Sequence, residues 1–230
     1  MYRYQILIEY VGTNFVGWQI QSQGKSIQKL IQTKLSKLLK EKVLLIGSGR
    51  TDAGVHAIEQ SAHFECKKES KNLDKFLKSV NNFVNDMNVS IINIKKRNIN
   101  FHARFSAKQR IYKYVIFNRL SRPSIEKGRG WHIIKELDIS LMKKGAKKLL
   151  GTKDFSTFRS SSCNAKSPIR TMKSIKISSK KGRIEIQFKS QSFLQQQVRS
   201  MVGCLKYLAE KKWDLKKFDF VFKSKKRILC

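Results

Sequence analysis

The apolar residues of this chain recur with two periods in alternation, and that alternation restricts the accessible folds more than any other feature of the sequence. In "YQILIEY", Tyr4, Ile6, Ile8 and Tyr10 stand against Gln5, Leu7 and Glu9, the period of two that sends successive side chains to opposite faces of a strand. "SIQKLIQTKLSKLLK" then changes period. Ile27, Leu30, Ile31, Leu35, Leu38 and Leu39 share one face of a helix, with Ser26 placed to cap it. Strands are expected around 43–47 and 60–65, a helix near 73–84 and a strand near 89–95, a β-α-β-β-α-β order.

The second half repeats the theme. A long strand is expected over 105–118, a helix over about 140–150, then strands at 171–178 and 183–189, where Ile184, Ile186 and Phe188 alternate cleanly. A helix follows over about 194–209, its stripe made by Leu194, Val198, Met201, Val202, Leu205, Leu208 and Ala209. The pattern predicts an α+β protein of two subdomains with mostly antiparallel sheets, ferredoxin-like or RRM-like halves related by a pseudo-repeat. Residues 1–100 and 101–230 are the expected domains, with the active-site cleft between them.

Composition decides what such a fold would meet. The 230 residues hold 49 Lys plus Arg against 16 Asp plus Glu, a formal net charge of +33, which attracts polyanions. Nucleic acid is the expected partner, because neutralising phosphates releases counterions without any sequence recognition. A bias that puts lysine wherever solvent allows is the competing account. A hydrophobic content of 40% argues against a disordered basic tail. No apolar run approaches the roughly 20 residues of a spanning helix, and "MYRYQILIEY" lacks a signal-peptide core, so no membrane partner and a cytoplasmic location are expected. Cys66, Cys163, Cys204 and Cys230 lie far apart without zinc-finger spacing, so reduced thiols and no metal are expected.

Few motifs carry chemistry. There is no Walker loop, no dinucleotide fingerprint, no H-E-x-x-H and no nucleophile elbow. His56 and His102 sit beside interesting loops, where a hydrogen-bonded structural role is the simpler reading. What remains is "GSGRTDAGVHA", residues 47–57, which places a lone carboxylate, Asp52, two residues after Arg50 in a glycine-punctuated loop. Asp52 is a candidate catalytic acid. It is equally a candidate for a turn in which Asp bonds its own backbone and Gly54 makes the tight bend.

"GRTDAGVHA" resembles the catalytic motif of the tRNA pseudouridine synthase A family. Further stretches agree in order: "FVGWQIQ" (15–21), "SIQ" (26–28), "FHARFSA" (101–107), "YKYVIFN" (112–118), "DFSTFR" (154–159) and "FLQQQVRSMVG" (193–203). The resemblance covers nearly the whole chain. It implies isomerisation of uridine to pseudouridine at positions thirty-eight to forty of the tRNA anticodon stem-loop, without cofactor or metal, by a homodimer. Uracil is detached from C1′, turned and rejoined through C5. The target must first be extruded from its helix, which needs a basic surface and side chains that hold the free base.

By the same resemblance Asp52 is the essential carboxylate, attacking as a nucleophile or stabilising a developing sugar cation. Arg199 is the arginine that pairs with it and fixes its direction. Tyr112 stacks on the target base, and Arg50 and Phe158 are further candidates for holding substrate. Without the resemblance, Arg199 reads as a solvated helix-edge residue and Tyr112 as a strand aromatic in the core. Two departures stand out. Val11 replaces an acid, and the sequence ends at "KSKKRILC", about where the family continues into a further apolar segment and a last strand. The rival functions are an RNA-binding protein of the same fold without catalysis, and a glycosylase that releases uracil rather than rejoining it.

Overall fold

The structure is a computed structural model that describes residues 1–84 and 87–230. Two compact units divide the chain, residues 1–107 and 108–230.

The first unit runs β1 (Tyr2–Tyr10), α1 (Ile27–Leu39), β2 (Ile46–Gly47), β3 (Ala57–Cys66), α2 (Leu73–Val84) and β4 (Val89–Arg97). Its sheet has the order β2-β3-β1-β4, and each of its pairings is antiparallel, the arrangement of a split β-α-β unit. Tyr4, Ile6, Ile8 and Tyr10 face the core, where they meet Ile27, Ile31 and Leu35 of α1 and Phe76, Val80 and Val84 of α2. Full burial of each aliphatic side chain among these contributes about 1.5–3 kcal/mol. Ser26 caps α1 by accepting a hydrogen bond from the Lys29 N–H at 3.3 Å, as its position predicts.

The strand expected over 43–47 is reduced to two residues. The Val43 N–H donates to Ser36 Oγ, the Leu45 N–H to Gln32 Oε1, and Gln28 Nε2 donates to the Leu45 carbonyl. Side chains of α1 thus take the backbone groups that a neighbouring strand would have paired.

The second unit runs β5 (Arg110–Asn118), β6 (Trp131–Ile133), α3 (Ile139–Lys148), β7 (Gly151–Asp154), β8 (Ile169–Lys180), β9 (Arg183–Ser190), α4 (Gln197–Ala209) and α5 (Leu215–Lys223). Its five-stranded sheet has the order β6-β5-β9-β8-β7, and β6 joins β5 in parallel. The α+β class with two mostly antiparallel sheets is therefore as expected. β6, β7 and α5 were not legible in the pattern. β5 also starts five residues later than expected, because 102–106 closes a turn: the Ser106 N–H donates to the His102 carbonyl at 2.8 Å. Among the described residues, no helix is long and apolar enough to cross a membrane.

Candidate active site

In the first unit the segment 48–56 between β2 and β3 carries Asp52. Its root is held by β3, where the Ser48 N–H donates to the Ser61 carbonyl at 2.8 Å and Gln60 Nε2 to the Gly49 carbonyl at 2.7 Å. Asp52 opens a tight turn: its carbonyl accepts from the Val55 N–H at 3.2 Å, and Gly54 occupies the third position at φ +75°, where a side chain would be strained. Gly54 thus makes the tight bend as expected, closed by the backbone carbonyl of Asp52.

The turn is clamped from the segment after β1. The Trp18 N–H donates to the Thr51 carbonyl at 3.0 Å, and the Gly54 N–H donates to the Phe15 carbonyl at 3.3 Å. Tyr10 Oη lies 2.8 Å from Thr51 Oγ1, and the Gly12 N–H donates to His56 Nδ1 at 3.0 Å. Gly17 sits at φ +112°, and a Cβ there would stand 2.5 Å from the Thr51 carbonyl oxygen, so no larger residue admits this approach. The backbone on both sides of Asp52 is thereby fixed, the carboxylate is half-buried, and Arg50 is exposed. Tyr10, Gly17 and Trp18 carry this support. Gly17 and Trp18 are signalled in the sequence only by "FVGWQ", a glycine between bulky residues, and Tyr10 reads there only as the last core residue of its strand.

In the second unit Tyr112, Tyr114 and Ile116 stand opposite Phe188, Ile186 and Ile184 of β9, so they share the face on which the core is built. Tyr112 lies toward the end of that face and is half-buried, with Phe193 edge-on to it at 4.9 Å between ring centroids and 79° between planes. Tyr114 packs against the core. Burial pushes its hydroxyl above the usual tyrosine range, and the charge of Arg199 opposes that rise.

Arg199 is an exposed residue in the first turn of α4. That helix begins later than its apolar stripe, because Gln196 takes the left-handed conformation at φ +60°. Gln197 then turns its side chain back to accept from the Leu194 N–H at 2.8 Å. Arg227 braces the same turn, donating to Gln196 Oε1 at 2.8 Å and Ser200 Oγ at 3.3 Å.

Phe158 requires a correction. It is 0% exposed and stacks on Phe222 at 5.5 Å and 20°, with Phe155 also against it. A ring with no free surface holds core, not base. "DFSTF" carries two phenylalanines on a short helical turn, and both go inward.

Asp52 and Arg50 thus belong to the first unit, and Tyr112, Phe158 and Arg199 to the second. Residues 6–106 and 146–229 match the family model described as tRNA pseudouridine synthase. The chain is 82% identical over 230 residues to the tRNA pseudouridine synthase A of Pelagibacter ubique (strain HTCC1062), covering 100% of this chain and 94% of that protein. It is 38% identical over 230 residues to the tRNA pseudouridine synthase A of Parvibaculum lavamentivorans (strain DS-1 / DSM 13023 / NCIMB 13966), covering 100% and 93%.

Proposed function

Because this chain belongs to the tRNA pseudouridine synthase family, we propose that it isomerises uridine to pseudouridine in the anticodon stem-loop of tRNA, at positions thirty-eight to forty, with Asp52 as the catalytic carboxylate. The observation that carries this reading is the clamped turn of Asp52. A short acidic side chain whose backbone is fixed on both sides by Trp18 and Phe15, with Tyr10 on the neighbouring Thr51 hydroxyl, reaches a bound sugar or base in one direction, which is what a nucleophile or a stabiliser of a sugar cation needs. Arg199 is the cation that holds the carboxylate's direction during the reaction.

Tyr112 offers a ring to the extruded uracil, and Arg50, exposed beside the turn, meets the RNA backbone. The excess of 49 basic over 16 acidic residues supports a polyanionic substrate. The working protein is a homodimer in this reading and draws on no cofactor.

Unmodified tRNA carrying tritium at uridine C5 tests it. Rejoining the base through C5 expels that tritium to water, so release without free uracil is the expected result. Free uracil without tritium release would make the protein a glycosylase, and neither product would leave a tRNA-binding protein.

A further inference from the structure

His63 lies on β3 between Ala62 and Phe64, which pair with Ile6 and Tyr4 in the core. Strand alternation therefore sends its imidazole to the opposite face of the sheet. It is nevertheless only 2% exposed, because the segment leading out of β4 folds back over it. The Ala103 N–H donates to His63 Nδ1 at 3.1 Å. His102 lies edge-on at 4.8 Å and Phe101 at 6.0 Å between ring centroids. His63 is also the strand partner of Ile46 on β2, the start of the strand that leads into the Asp52 loop. One ring thus joins the root of that loop to the 101–106 turn, which presents an exposed Arg104 and a Phe105 that is 77% exposed.

We propose that His63 is a positioning residue that, as a neutral imidazole, locks the 101–106 turn to the root of the Asp52 loop, and that its protonation releases the lock. The inference rests on the reading of Asp52 as the catalytic group. Nδ1 can accept from the Ala103 N–H only while it carries no proton, as in the neutral ring. A proton added at Nδ1 would face the Ala103 N–H, donor against donor, and the bond would be lost.

The surroundings favour the neutral ring. Burial first, then the charges of His102 on the turn and Arg3 on β1, hold the imidazole down to about 4, while Glu65 on β3 and the Ile46 carbonyl oppose them. Arg3 also donates to the Phe101 carbonyl at 2.5 Å and pairs with Glu65. Lys95 of β4 stands one strand further along the same row, across Gln5. A folded-state value below the ordinary histidine value means that the unfolded chain binds the proton more readily. The stabilisation is complete above about pH 6.5, the ordinary histidine value, and is lost as the pH falls toward 4.

The test uses the full chain and two readouts, amide exchange at 101–106 and single-turnover isomerisation of an unmodified tRNA transcript, each followed between pH 7 and pH 4. In the wild type, protection of 101–106, corrected for intrinsic exchange, should fall as the solution is acidified. His63→Asn keeps an acceptor near the Nδ1 position but does not titrate, so its protection should persist and lose the pH dependence. His63→Leu should lose protection at every pH and slow single turnover by about ten- to a hundredfold, the scale of a small misplacement at a reacting centre. Wild-type protection in the Leu variant, or a wild-type pH dependence in the Asn variant, would overturn the lock. Should Leu fail to fold, the comparison of Asn with wild type still decides. A wild type that never isomerises uridine at pH 7 would instead defeat the functional reading, and the exchange data would judge the lock separately.

Discussion

Asp52, Arg199 and Tyr112 are asked to do different things, and substitutions separate them. Asp52→Asn keeps the shape of the side chain and the turn hydrogen bond from the Val55 N–H to its backbone carbonyl, while removing the charged oxygen proposed to react. Turnover should fall by about 10³-fold or more, as when other catalytic carboxylates become amides, with tRNA binding kept within a few fold. Measurable turnover close to wild type would show that the carboxylate is only a turn residue. Arg199→Ala should lower turnover more than affinity, and Lys should rescue only in part because it lacks the planar fork. Equal losses in turnover and affinity would make Arg199 an ordinary phosphate contact. At Tyr112 the proposed role is stacking, worth on the order of 1–3 kcal/mol per base. Phe should therefore hold substrate and Leu should not, which a titration with stem-loop RNA reads directly. If Leu binds as well as Tyr, the edge contact with Phe193 is plain packing.

Elements place these residues through their ends more than their middles. α1 is started by Ser26, whose hydroxyl satisfies one of the orphan N–H groups of the first turn. Ser26→Ala should cost about 1 kcal/mol in denaturant unfolding without altering the chemistry. The segment just before α1 is more exacting. Gly17→Ala adds a methyl group where the Thr51 carbonyl oxygen lies 2.5 Å away and the backbone is at φ +112°. That change should displace the Asp52 turn and cost about 1–3 kcal/mol of stability, together with most of the turnover. A Gly17→Ala enzyme of wild-type rate would mean that the clamp does not position the carboxylate. The two substitutions lie close in sequence, so their contrast isolates the clamp from general destabilisation of the helix.

For the whole molecule the dominant quantity is charge. A formal +33 leads to the expectation that tRNA binding weakens steeply with salt, losing about 10³–10⁵ in affinity between 50 and 200 mM if six to ten phosphates are neutralised. Filter binding over that range measures it, and a flat response would assign the lysines to composition alone. The amino-acid pattern by itself determined the α+β class, the order of elements in the first unit and the faces that β1 and β9 turn inward. Period and capping act within a few residues and do not depend on what lies across the sheet. It also offered Asp52 as a candidate, open between turn and carboxylate until the family resemblance favoured the carboxylate. Only the tertiary structure decided that 43–45 gives its backbone bonds to α1 instead of a strand, and that Phe158 fills the core rather than facing a ligand. It also showed that Tyr10, Gly17 and Trp18 clamp the turn and that His63 is covered by 101–106. Each of these rests on a hydrogen bond or contact between different segments of the chain, and local periodicity carries no information about which group of another segment will supply it.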